Sequence, residues 1–133
     1  YVASISLAAN PNQAIRAFIE AESYPGPSII IAYAPCIAHG TDMTRTFEAQ
    51  KNAVRSGYWP LYRFNPTASA PFNYESRDPK MDMIDFLMNE NRYRSLKRQS
   101  PKIADQLFQQ AREHNLKRHE HYKKLSEIYK NQN

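Results

Sequence analysis

The residue types in this chain that could do chemistry converge on one short stretch, Cys36-Ile37-Ala38-His39-Gly40, which holds the only cysteine of the 133 residues. A lone thiol excludes an internal disulfide framework and leaves three readings open. Cys36 is a small buried side chain, or a nucleophile, or a metal or cluster ligand whose companions lie elsewhere. His39 stands three residues on and could lower the thiol pKa, but no oxyanion site can be argued beside it. Cys36-x-x-His39 is also half of a zinc pattern that has no second half. A second set of bases lies in Lys117-Arg118-His119-Glu120-His121-Tyr122-Lys123-Lys124. Acidic residues dilute it, and neither helix-turn-helix nor zinc-finger spacing accompanies it, so it reads as a solvated helix face rather than a nucleic-acid contact. His114 and His121 sit two turns apart without a third ligand.

The elements that position Cys36 begin immediately upstream. Ile29-Ile30-Ile31, bounded by Pro25-Gly26-Pro27 and Pro35, reads as a short strand buried on both faces, because an unbroken β-branched run suits a two-sided core. Cys36 then lies on the turn leaving the carboxyl end of that strand, the edge at which open α/β sheets bind ligands. Tyr1 to Leu7 reads as an earlier strand. Asn10-Pro11-x-Gln13 supplies an N-cap, a proline at the first helical position and a side chain able to reach back to the cap. The helix it starts runs to about Ser23, with Ile15, Phe18, Ile19 and Ala21 facing inward. Residues 1 to 34 thus form a strand, helix, strand unit with parallel strands, which puts Leu7 and Pro35 at the same sheet edge.

Thr41 and Asp42 cap a helix to about Ser56 on Met43, Phe47 and Val54, with Gly57 at its end. Tyr58 to Phe64 reads as a further strand that Pro60 confines to an edge or a kinked start. Residues 65 to 80 hold three prolines and read as an irregular segment packed through Phe72 and Tyr74. Met81, Ile84, Leu87 and Met88 line a helix to about Arg98. Ser100-Pro101 opens a last helix to about Lys130, whose face is Ala104, Leu107, Phe108, Ala111, Asn115, Arg118, Tyr122, Leu125 and Tyr129. The expected fold class is α/β, a partial parallel sheet made of a βαβ unit and a further strand, with a helical C-terminal extension. The expected divisions are residues 1–64, 65–80 and 81–133.

The formal charge of +5 is concentrated toward the C-terminus, and a pI of about 9.4 permits an acidic partner. No apolar run is long enough to span a bilayer and no leader pattern opens the chain, so a soluble, cytoplasmic protein without membrane or nucleic-acid partners is expected. A parallel sheet of two or three strands makes a poor domain alone, and a start at Tyr1 inside a strand fits a piece of something longer.

Three blocks carry a resemblance: Glu20 to Gly40 (EAESYPGPSIIIAYAPCIAHG), Ser56 to Phe64 (SGYWPLYRF) and Ala70 to Asn73 (APFN). Together they resemble the C-terminal part of the pyruvate:ferredoxin (flavodoxin) oxidoreductases over about residues 1 to 98. The resemblance implies a fragment of a thiamine-diphosphate-binding fold, the last part of the domain that holds the diphosphate side of the cofactor. The family's cysteine in the Tyr-x-x-Cys-Ile block is the fourth ligand of the 4Fe-4S cluster nearest the thiamine, and its match here is Cys36. His39 could at most orient that ligand. The implied activity is oxidative decarboxylation of pyruvate to acetyl-CoA and CO2, with electrons passed through iron–sulfur clusters to ferredoxin or flavodoxin. The implied cofactors of the parent enzyme are the 4Fe-4S cluster, thiamine diphosphate and Mg2+. The implied partners are the rest of the parent polypeptide, ferredoxin or flavodoxin, pyruvate and coenzyme A, in an enzyme that is a homo-oligomer.

The family's Gly-Asp-Gly signature for magnesium and diphosphate is absent, as are the CxxC motifs of its ferredoxin-like clusters. No residue here is a thiamine ligand by motif, and a chain with these omissions is expected to be inactive alone. The competing expectation is a small non-catalytic α/β interaction module that displays its C-terminal helices to a partner.

Overall fold

A computed structural model describes residues 1–131, so residues 132 and 133 of the expected helical extension lie outside the described residues. Strand β1 (Val2–Ile5) leads into helix α1 (Pro11–Ser23), which returns the chain to β2 (Ile29–Ala32). The two strands pair in parallel, Val2 opposite Ile29 through Ile5 opposite Ala32, as the expected crossover requires. Asn10 caps α1, its side-chain oxygen accepting from the Gln13 N–H at 3.1 Å, with Pro11 at the first position.

The rest of the sheet is antiparallel. Strand β3 (Tyr62–Phe64) pairs with β1, and β4 (Phe72–Tyr74) pairs with β3, giving the order β2-β1-β3-β4. The sheet is therefore mixed, and the segment 65–80 contains a strand. Only seven residues, 65–71, separate Phe64 from its cross-strand partner Phe72, a span suited to an antiparallel hairpin and too short for a parallel crossover.

Two buried faces differ from the expected ones. The isoleucine strand lies at the sheet edge, and Ile29 and Ile31 are 59% and 43% exposed, so within this chain it is not covered on both faces. Helix α1 buries Gln13, Ala14 and Ala17, while Ile15, Phe18 and Ile19 face outward. Alanines at positions 14 and 17 let the helix approach the sheet closely, and Gln13 Nε2 donates to the Ser4 carbonyl at 3.1 Å, so the inner stripe is small and polar where large side chains were expected.

After β2 the chain makes two 3₁₀ turns, Ile37–His39 and Met43–Arg45, before α2 (Thr46–Arg55). The expected helix from Thr41 thus starts later, and Met43 and Phe47 are exposed. Gly57 ends it with φ +72, as its position after the last turn implies. The single helix expected over residues 81 to 98 is two, α3 (Met83–Leu87) and α4 (Asn91–Gln99), and α5 (Pro101–Asn131) follows. Asp82 caps α3, accepting from the Ile84 N–H at 2.7 Å.

Helix α5 closes one face of the antiparallel half. The Tyr122 ring packs against Tyr62, Phe72 and Tyr74 at centroid distances of 5.7, 5.8 and 5.6 Å. Ala104 and Phe108 enter a core with Ala53, Met83, Phe86 and Leu87, whereas Leu107 stays largely exposed. A separate cluster of Tyr1, Ala3, Ile5, Ala14 and Ala17 sits between β1 and α1. Among the described residues no helix is long and apolar enough to cross a membrane.

Candidate functional site

The parallel pairing runs one residue past β2, where the Tyr33 N–H donates to the Ile5 carbonyl at 3.1 Å, and stops at Pro35, which has no N–H to give. Cys36 follows in an extended conformation and caps the first 3₁₀ turn, its carbonyl accepting from the His39 N–H at 3.1 Å. The thiol is free and half-buried. The strand exit thus places Cys36 at the carboxyl edge of the parallel pair, as its position in the sequence implies.

Two contacts hold this turn. Beneath it the Tyr33 ring lies 5.5 Å from Trp59 and 6.3 Å from Tyr58, and the Trp59 indole N–H donates to the Ile5 carbonyl at 2.9 Å. Burial, then the nearby Glu90 carboxylate, pushes the Tyr33 hydroxyl up to about 12, so it stays protonated at any physiological pH. At the far end Gly40 has φ +74, and its N–H donates to the Ile37 carbonyl at 2.9 Å. A Cβ on Gly40 would overlap the Asn91 Cβ and lie 3.1 Å from the Asn91 backbone nitrogen, so the first turn of α4 sits directly on this glycine.

Gly40→Ala is accordingly expected to destabilise the chain by roughly 2–5 kcal/mol, combining a left-handed backbone with overpacking. Chemical denaturation checks the value, and adding Asn91→Gly is expected to recover the packing part alone. Full wild-type stability in the single variant would contradict this anchor.

In the stretch that follows Cys36, three apolar side chains are exposed: Ile37 at 77%, Met43 at 44% and Phe47 at 71%. His39 is exposed on the turn. Among the described residues no group of three His, Cys, Asp or Glu side chains could hold a metal ion, so neither Cys36 with His39 nor His114 with His121 forms a complete site.

His119, expected on a solvated helix face, is instead buried, at 5% exposed. Its Nδ1 lies 2.7 Å from the Tyr74 hydroxyl and its Nε2 2.9 Å from Asp78 Oδ1, so it clamps α5 to the end of β4. The spacing of Phe108, Asn115, His119 and Ser126, all buried, was the available signal. Arg118 is likewise structural. Its Nη2 donates to the Gly57, Tyr58 and Asn115 oxygens at 3.2, 2.7 and 2.7 Å, while Asn115 Nδ2 donates to the Ser56 carbonyl at 3.2 Å. These bonds satisfy carbonyls at the C-terminal end of α2 and remove the central base from the supposed basic arm.

The mixed sheet, with large apolar side chains of α1 and β2 left exposed, defines an α/β segment that fits within a larger domain. No family model matches the chain. Known proteins do: it is 50% identical over 131 residues to the pyruvate:ferredoxin oxidoreductase of Moorella thermoacetica, covering 96% of this chain and 11% of that protein. It is 44% identical over 115 residues to the probable pyruvate-flavodoxin oxidoreductase of Escherichia coli, covering 84% of this chain and 10% of that protein. It is 41% identical over 141 residues to the pyruvate dehydrogenase (NADP+) of Cryptosporidium parvum, covering 96% of this chain and 7% of that protein. The chain is homologous to a segment of the pyruvate:ferredoxin (flavodoxin) oxidoreductases and spans about a tenth of the length of these relatives.

Proposed function

We propose that this chain is part of an oxidoreductase that converts pyruvate to acetyl-CoA and CO2, and that it contributes Cys36 as one ligand of a 4Fe-4S cluster. The observation that carries the reading is the 50% identity over 131 residues to a pyruvate:ferredoxin oxidoreductase. Thiamine diphosphate with Mg2+ and the iron–sulfur clusters would supply the decarboxylation and the electron path when bound. This chain's own part is to hold the Cys36 thiolate at the sheet edge. Tyr33 and Trp59 support the turn from below, and the apolar residues Ile37 and Phe47 exclude water once the rest of the polypeptide covers them.

The relatives' names share pyruvate and differ in the acceptor, which is ferredoxin, flavodoxin or NADP+. A segment retained across that difference serves the common pyruvate half of the reaction rather than the choice of acceptor. The rest of the parent polypeptide, coenzyme A and a ferredoxin or flavodoxin are then its partners, in a cytoplasmic homo-oligomer, and the segment is inactive alone. The large exposed side chains of α1 and β2 favour this over a self-contained interaction module, because they leave apolar surface for further parts of the protein to cover.

The test is to isolate the full-length polypeptide without oxygen and measure pyruvate- and coenzyme A-dependent reduction of ferredoxin and flavodoxin, with iron content on the same sample. Reduction of either carrier together with bound iron is expected. An iron-free protein that releases no CO2 from pyruvate would overturn the reading.

A further inference from the structure

A surface cleft of about 460 Å³ opens beyond the carboxyl end of β1, beside the N-cap of α1 and between α2 and the segment after β4. Four bases line it. Lys51 and Arg55 are four residues apart on one face of α2, and Arg77 and Lys80 come from the segment after β4, which the Lys80 N–H ties to the Arg55 carbonyl at 2.9 Å. Like charges at that helical spacing repel, so the sequence tolerates an electrostatic cost here.

The two carboxylates in the cleft are engaged elsewhere. Glu75 accepts from Arg63 Nε and Nη2 at 3.0 and 2.9 Å, and Asp78 Oδ1 accepts from Lys123 Nζ at 3.0 Å. Among the described residues none of the four bases has a carboxylate within ion-pair distance. Helix α1 also carries no acidic residue in its first turn, so its positive end adds to the same field.

We propose that this cleft binds a small di- or polyphosphate, the anion lying between the α2 bases and the Arg77–Lys80 segment. Its volume is that of a small-molecule site. Arg55 and Arg77 provide planar forks suited to phosphate oxygens, and Lys51 and Lys80 provide point charges. A diphosphate concentrates its charge within one such cleft, whereas an acidic peptide spreads it at about 3.3 Å or more per residue. The site shares no residue with the Cys36 turn and stands whether or not Cys36 holds a cluster.

The experiment is lysine acylation footprinting of the full-length polypeptide, read residue by residue by mass spectrometry, with inorganic pyrophosphate as the probe. Acylation of Lys51 and Lys80 is expected to slow at least about fivefold, while Lys102 and Lys117 react as before. In Arg77→Ala the pyrophosphate concentration for half-protection is expected to rise about tenfold, the loss of one charge-assisted hydrogen bond. Uniform or absent protection overturns the proposal, as does failure of Lys51 and Lys80 to react without pyrophosphate. Protection by a poly-glutamate peptide but not by pyrophosphate also overturns it and assigns the cleft to an acidic protein segment.

Discussion

Cys36→Ala in the full-length polypeptide is expected to lower pyruvate-dependent reduction of ferredoxin or flavodoxin by at least about 100-fold. Loss of an outer partner of a metal ligand already costs roughly 10- to 100-fold, and here the ligand itself goes. Iron per chain should fall in the same sample, and pyruvate-dependent CO2 release should persist, because the role proposed for Cys36 is to hold the electron acceptor and not to bind pyruvate. Folding offers no competing explanation of such a result. The side chain is half-buried at a turn whose conformation is held by backbone bonds at Cys36, Ile37 and Gly40, and an alanine there makes all of them. If Cys36 were only a small apolar filler, the variant would melt and turn over like the wild type. Unchanged acceptor reduction with unchanged iron would therefore sink the ligand assignment while leaving the homology intact.

What could be read from the residues divides along a physical line. The βαβ unit was legible because its signals are local: the Asn10-Pro11 start, the Pro25-Gly26-Pro27 break and the isoleucine run each act within a few residues. Cys36 at the strand exit followed from those boundaries alone. The buried faces were not legible. Periodicity assigns Ile15, Phe18 and Ile19 inward because they are large and apolar, yet they are 56%, 57% and 59% exposed in a chain that spans a tenth of its relatives' length. A pattern written for covering surfaces outside the chain cannot be resolved within it. The break between α3 and α4 was hidden for a different reason, since Met88-Asn89-Glu90 carries no proline or glycine. Tertiary contacts there override a moderate helical pattern, with Glu90 only 4% exposed. The diphosphate cleft escaped notice because its four bases lie in two separated stretches that only the packing of residues 75–80 against α2 brings together.

Arg63→Met is expected to be the most damaging single change to the fold, at about 3–5 kcal/mol, the range for removing one partner of a buried ion pair. Arg63 sits on the central strand β3 and is 7% exposed. Its guanidinium donates to both Glu75 oxygens and, through Nη1, to Glu20 at the end of α1, so one cation serves two carboxylates. Burial opposes the charge, but the hydrogen bonds that Arg63 donates to Glu75 and Glu20 outweigh it and hold the Arg63 pKa above the ordinary arginine value. The Tyr1 hydroxyl donates to the second Glu20 oxygen at 2.9 Å, and burial followed by that carboxylate raises the tyrosine pKa, so the phenol remains a donor. Methionine can fill much of the volume and supplies none of the charge, leaving Glu20 and Glu75 to face each other in a half-buried space. The loss should thus be electrostatic rather than steric. Adding Glu20→Gln and Glu75→Gln is expected to return most of the stability measured by urea denaturation, since replacing a whole buried ionic cluster is often close to neutral. A triple variant as unstable as the single one would show that packing around the guanidinium, and not charge balance, is what joins α1 to the antiparallel half of the sheet.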